Sequence, residues 1–249
     1  MPKIRGASSM PKKPATARKS KVNKSIVEPK DLDNVPDIDF EEILQWVGRY
    51  QEALEYKQEN MFEQQVQPVL NSIEKLVQKN GIIKIDGPPK LTSLEKYLFG
   101  GGEDKIDFKN DIKMDHLTTI MGWKLSRGKY RMRLASLVKE NKEEEVTKIM
   151  NEVYEKLIKI DSETFFNHKD TVFESIQKIS EIRGFGPATA SGILSMMSSN
   201  LPYMSDEGLT GLGIEMISKF QEEFKGDPSK KLTPRDLERA FFARQILIS

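Results

Sequence analysis

Cysteine is absent from the 249 residues, which removes disulfides, thiolate zinc sites, cysteine nucleophiles and iron–sulfur clusters together. Histidine is scarce: His116 and His168 are the only two and lie far apart in the sequence. A histidine-based metal centre is therefore not expected, and neither is any other cofactor. No apolar run approaches the roughly 18 residues a membrane span needs. The positive charges near the N-terminus have no apolar stretch behind them, so a secretory leader is not expected either. Strand signals are equally thin, since Ile82, Ile83 and Ile85 alternate too briefly to demand a sheet. Lack of cysteine is compatible with a reducing compartment without establishing one.

What is present is a chain 37% hydrophobic and 31% charged, proportions ordinary for a soluble protein. The net charge of +1 conceals an asymmetry. Residues 1–30 carry nine Lys or Arg and a single acid, Glu28, leaving 30 of the 39 basic and 37 of the 38 acidic side chains to the rest. The body is thus mildly acidic, and any grip on nucleic acid has to come from local patches. Residues 1–36 are rich in Pro, Ser, Lys and Ala and too poor in large apolar groups to offset chain entropy, so they are expected to be a disordered basic tail. Clusters such as Pro11-Lys12-Lys13-Pro14 and Ala17-Arg18-Lys19-Ser20-Lys21 suit a nuclear import signal or an arm lying on nucleic acid. They suit a solubilising tail equally well.

From residue 37 to 249 the apolar pattern is that of helices, and an all-α domain is expected. Phe40, Ile43, Leu44, Val47, Tyr50 and Leu54 recur as one helical face. Val66, Val69, Leu70, Ile73, Leu76 and Val77 make a second, with Pro68 near its first turn and Gly81 closing it. Leu117, Ile120, Met121 and Leu125 begin another block, which Leu134, Leu137 and Val138 continue. Val146, Ile149, Met150, Val153 and Leu157 form a stripe, and Phe173, Ile176, Ile179 and Ile182 form the next. The final helix is announced by Thr233-Pro234-Arg235-Asp236: a hydroxyl N-cap, proline at the first helical position and a carboxylate three residues after the cap. Ala240, Phe241 and Ile246 are expected to give its buried face.

The string carrying chemistry is Ile182-Arg183-Gly184-Phe185-Gly186-Pro187-Ala188-Thr189-Ala190-Ser191. Two glycines around one apolar residue suit a tight turn between helices, because glycine accepts dihedrals that other residues resist and lets an anion near the backbone. Phe185 would pin the turn to the core. A helix then opens at Pro187, and its unpaired N–H groups and positive dipole end would face a phosphate. Gly184, Phe185, Gly186, Ala188 and Thr189 are the candidate DNA-binding residues of this turn. Lys124, Arg127, Lys129 and Arg131, in a basic stretch that ends with Arg133, are candidates for further phosphate contacts. The alternative for these charges is pairing with acids such as Glu143 to Glu145. Trp123 is expected in the core.

The hairpin string resembles that of the helix-hairpin-helix DNA glycosylase superfamily, which includes the endonuclease III-like base-excision enzymes. That resemblance implies a two-lobed all-α fold and an essential aspartate in a loop after the hairpin. Asp206, in Pro202-Tyr203-Met204-Ser205-Asp206-Glu207, lies 18 residues after Ala188, which matches the family spacing. Bifunctional members carry a lysine where Ala188 stands, so Schiff-base lyase chemistry is not implied here. The family's cysteine cluster is missing as well. A closer resemblance is to the Amun-type proteins, through the stretch Met121 to Leu134, the hairpin itself and the loop from Pro202 to Glu207. It implies a nuclear DNA-binding protein, either a monofunctional glycosylase acting on a flipped base or a non-catalytic relative that retained the fold. In the enzyme reading, Asp206 would stabilise the oxocarbenium-like sugar or orient water; it could equally be a helix N-cap.

Overall fold

Every regular element among the described residues of this computed structural model is a helix. The structure describes residues 40–61, 63–80, 85, 87–100, 106–109, 112–128, 131–160, 168–201, 203–204 and 232–248, all within one compact unit, Pro36–Ser249. The basic tail, residues 1–36, lies outside them.

The single helical face expected from Phe40 to Leu54 is two helices, α1 (Phe40–Gly48) and α2 (Tyr50–Tyr56), the latter running on as a π-helical turn over Lys57–Met61. Between them Arg49 sits at φ −92°, ψ 4°, the bridge region that ends helices. The change of direction lets Phe40 and Ile43 bury in one place and Tyr50, Ala53 and Leu54 in another, while Leu44 is left exposed. Next come α3 (Glu63–Asn80), α4 (Leu91–Phe99), α5 (Met114–Arg127) and α6 (Met132–Val138). They are followed by α7 (Glu143–Leu157), α8 (Lys169–Ile179), α9 (Pro187–Met197) and α10 (Pro234–Ile248). Pro68 is the sixth residue of α3, one turn deeper than its sequence context suggests.

Helix starts are set by local polar contacts. At α10 the Thr233 Oγ accepts from the Asp236 N–H at 3.2 Å, and the Asp236 carboxylate accepts from the Thr233 N–H at 3.0 Å. Two of the orphan donors of a helix N-terminus are thereby satisfied reciprocally. At α5 the His116 Nδ1 accepts from the Lys113 N–H at 3.0 Å, so this buried histidine serves a cap. The three glutamates opening α7 complement its dipole, and Glu143 also accepts from the Met114 N–H at 3.1 Å, joining α7 to the start of α5.

Burial falls into one large cluster and two small ones. The large cluster collects side chains from α3 through α9, including Trp123, Ile179, Phe185, Ile193 and Tyr203. The smaller two are built where α10 meets α1 and α2: Tyr50, Leu54, Phe242 and Ile246 in one, Phe40, Ile43, Leu237 and Ala240 in the other. In α10 it is Phe242, with no exposed surface, that fills the core, and Phe241 is half-buried. In α8 the inner face runs through Val172, Ser175, Ile176 and Ile179. Phe173, expected on it, is 60% exposed, and Ile182 belongs to the turn beyond the helix. Helix α9 is buried without interruption from Thr189 to Met196, as befits a helix surrounded by others.

Candidate functional site

The turn from α8 to α9 tightens by steps of three residues. Ile182 N–H bonds to Ile179 O at 3.1 Å and Phe185 N–H to Ile182 O at 2.9 Å. Gly184 then takes φ +90°, a left-handed conformation that costs an L side chain roughly 1–2 kcal/mol. A Cβ there would also stand 3.2 Å from Leu134 O, Leu137 Cβ and Val138 Cγ2, so α6 packs directly on the bare Cα. Gly186 differs from what the paired glycines suggest. Its φ of −123° and ψ of −178° are extended backbone open to any residue, and a Cβ would meet no described residue within 4 Å. Glycine here leaves open space, with no conformational need behind it. Between the two, Phe185 is 7% exposed in the large core.

Gly186 is the N-cap of α9, with Pro187 at the first helical position and no side-chain cap. The N–H groups of Ala188 and Thr189 belong to the first turn, where an α-helix supplies no internal acceptor. They lie at the positive end of the helix dipole. Ala188 is half-buried. Thr189 is buried, so its side chain does not line the opening.

The other side of the turn is held by a residue the sequence does not single out. Asn141, after α6, accepts from the Arg183 N–H at 2.8 Å and donates to Arg183 O at 2.9 Å and to Val138 O at 2.8 Å. Both backbone polar groups of Arg183, the residue before Gly184, are thus fixed by one side-chain amide. Beside it, the Arg183 guanidinium pairs with Glu140 at 2.5 Å. No pattern in the sequence connects residues 140 and 141 to a turn some 40 positions later.

On α9, Ser191 donates to Ala188 O at 2.9 Å and accepts from the Met204 N–H at 2.9 Å. This ties the strand of chain at Tyr203-Met204 to the opening turn of α9. Tyr203 packs on Trp123 with ring centroids 5.0 Å apart. Asp206 and Lys129 lie outside the described residues.

The basic stretch does not form one face. Arg131, at the N-cap of α6, and Arg133 are exposed, while Lys124 is half-buried on α5. Arg127 has to be removed from the candidate phosphate contacts. Its side chain is 2% exposed and its Nη1 and Nη2 donate to the two carboxylate oxygens of Glu238 at 3.3 and 2.9 Å. The guanidinium lies 4.1 Å from the Phe242 ring centroid and within 5.4–5.6 Å of those of Trp123, Tyr203 and Tyr50. Burial is the largest influence and works against its charge, but the attractions of Glu238, Tyr50, Glu95 and Tyr203 together outweigh it and raise its pKa. Trp123 is buried as expected and donates its indole N–H to Glu95 at 2.5 Å. Arg239 approaches the same carboxylate at 3.7 Å, and Lys57 donates to Arg127 O. Burial first, and the neighbouring Arg239 second, bring the Arg235 pKa down to about 10; this arginine donates to Ser195 O.

Among the described residues no three His, Asp or Glu side chains converge as metal ligands, and no helix is long and apolar enough to cross a membrane. Comparison of the chain with known protein families, curated proteins and solved structures finds no match.

Proposed function

We propose that this protein is a DNA-binding protein of the helix-hairpin-helix, DNA glycosylase-like type, whose α8–α9 hairpin holds a backbone phosphate. One observation carries the reading: the turn through Gly184 delivers the chain to an α9 N-terminus without a side-chain cap, where a Cβ on Gly186 would meet no described residue within 4 Å. Amide donors and a positive dipole end, with room for an anion to approach, are the elements of a backbone-built phosphate site. A contact of this kind positions nucleic acid without reading sequence. The exposed Arg131 and Arg133 at the start of α6, the helix against which Gly184 packs, supply cations beside it. The division of burial between the middle helices and the α1–α2–α10 group is compatible with a two-lobed glycosylase-like architecture.

Base excision is the reaction proposed for this site, with Asp206 as its carboxylate and no lyase step, since Ala188 stands where a Schiff-base lysine would be. Support comes from Ser191, which ties Met204, two residues before Asp206, to the hairpin helix. On this reading the protein works in the nucleus. The mildly acidic body and the withdrawal of Arg127 into the core favour a second reading, a relative that holds DNA without turning it over. Purified protein is to be screened against duplexes bearing different damaged bases, with Asp206→Asn as control. Base release lost in the Asp206→Asn protein supports the enzyme. Tight binding with no abasic product from any duplex leaves the non-catalytic reading standing.

A further inference from the structure

Arg183 stands three residues before the Gly186 cap and projects from the turn itself, its side chain 61% exposed. Its backbone is clamped at both N–H and C=O by Asn141, so the root of the side chain is fixed relative to the hairpin. Its partner is Glu140, itself 46% exposed, at 2.5 Å. Three residues of chain span at most about 11 Å. Arg183 is thereby rooted within about 11 Å of the opening of α9, on the same turn. An exposed ion pair such as Arg183–Glu140 shifts an equilibrium by no more than about fivefold. A guanidinium on a phosphate makes two parallel charge-assisted bonds and releases a counterion from DNA. The exchange of carboxylate for phosphate therefore runs toward DNA.

We infer that Arg183 is the hairpin's phosphate-binding cation and that Glu140 holds it in reserve, handing it over when the DNA backbone arrives. This inference rests on the hairpin being the phosphate site. Asn141 is a positioning residue: it holds the peptide while the guanidinium changes partner. Glu140 acts against binding by occupying Arg183. The ligand is a phosphodiester backbone of any sequence, since nothing in the exchange reads a base.

The test uses the full-length protein, a short fluorescein-labelled duplex and anisotropy titrations over a series of salt concentrations. Arg183→Ala is expected to weaken binding about tenfold and to reduce the slope of log affinity against log salt by about 0.9, the value of one phosphate contact. Glu140→Gln is expected to tighten binding by up to about fivefold. The double variant should bind as Arg183→Ala alone, because Glu140 has nothing left to hold. Arg183 and Glu140 are exposed, so melting temperatures close to native are expected for all three. Arg183→Ala with native affinity and native salt slope overturns the inference, as does tightening by Glu140→Gln that persists without Arg183. A Gly186→Asp protein separates the two levels. If it loses binding while Arg183→Ala does not, only the role of Arg183 fails. If neither variant loses binding, or the native protein binds no duplex, the hairpin reading falls and this inference with it.

Discussion

Replacing Gly186 with Asp should move stability and DNA affinity in opposite directions. The backbone at Gly186 is already extended, at φ −123°, and a Cβ would meet no described residue within 4 Å, so no backbone strain opposes the change. An aspartate at this N-cap can accept from the first-turn N–H groups of α9. Asp exceeds Gly as a cap by a few tenths of a kcal/mol, and its charge at the positive dipole end adds about 0.3–1 kcal/mol. A total near 1 kcal/mol corresponds to a rise in melting temperature of about 2–4 °C for a domain of this size. The same carboxylate sits where the phosphate is proposed to bind and takes its donors. A charge-assisted hydrogen bond is worth about 1.5–3 kcal/mol, so affinity should fall roughly ten- to hundredfold. Differential scanning fluorimetry and anisotropy titration on the same preparation read both numbers. A variant that melts higher yet binds duplex with native affinity refutes the placement of a phosphate at α9. One that melts several degrees lower refutes the open flank at Gly186.

Three further expectations follow from the packing. Gly184→Ala should cost about 2–3 kcal/mol in urea unfolding, combining a left-handed φ with 3.2 Å contacts against α6; a loss under 0.5 kcal/mol would contradict that geometry. Glu238→Ala strands the buried Arg127 guanidinium and should cost about 3–5 kcal/mol, whereas replacing both partners with apolar residues of similar volume should recover most of it. An equal loss in the paired replacement would show that the charge itself is needed. Tyr50 has a buried hydroxyl without a hydrogen-bond partner among the described residues, and burial foremost raises its pKa well above the usual tyrosine value. Its stabilising effect is therefore complete below pH 10 and declines as pH rises above it. Tyr50→Phe should remove that alkaline decline and raise stability at neutral pH by about 1 kcal/mol, both measurable in denaturant melts across pH.

Legibility of the sequence followed the range of the interaction. Periodicity and local caps are short-range, so the helices and the reciprocal Thr233–Asp236 cap could be read directly, and the hairpin turn stood out by its glycines. The same residues misled where tertiary packing decided. Gly184 and Gly186 look equivalent in the string, yet of the two only Gly184 has a positive φ and lies where α6 leaves no room for a Cβ. Arg127 looked like one cation in a basic run. Its sequence neighbours carry no trace of Glu238, 111 residues later, or of the aromatic rings around it. Ile176 and Ile179 lie on the inner face as the spacing predicts, but Phe173 does not: Val172 and Phe173 are both apolar, and only the packing of α7 and α9 on α8 chooses between them. Asn141 was invisible for the same reason: a polar residue after a helix gives no hint of a peptide 42 positions away.

The two small clusters that α10 shares with α1 and α2 also set a timetable for synthesis. Leu54 and Phe40 bury against side chains about 190 to 200 residues downstream. At about 5–20 residues per second on the ribosome, the α1–α2 segment spends on the order of 10 s or more with its apolar face uncovered, while α3 to α9 can already assemble around Trp123 and Phe185. Nascent chains stalled before Pro234 should therefore hold a protease-resistant middle and a protease-sensitive beginning, and the beginning should become resistant only once α10 has emerged.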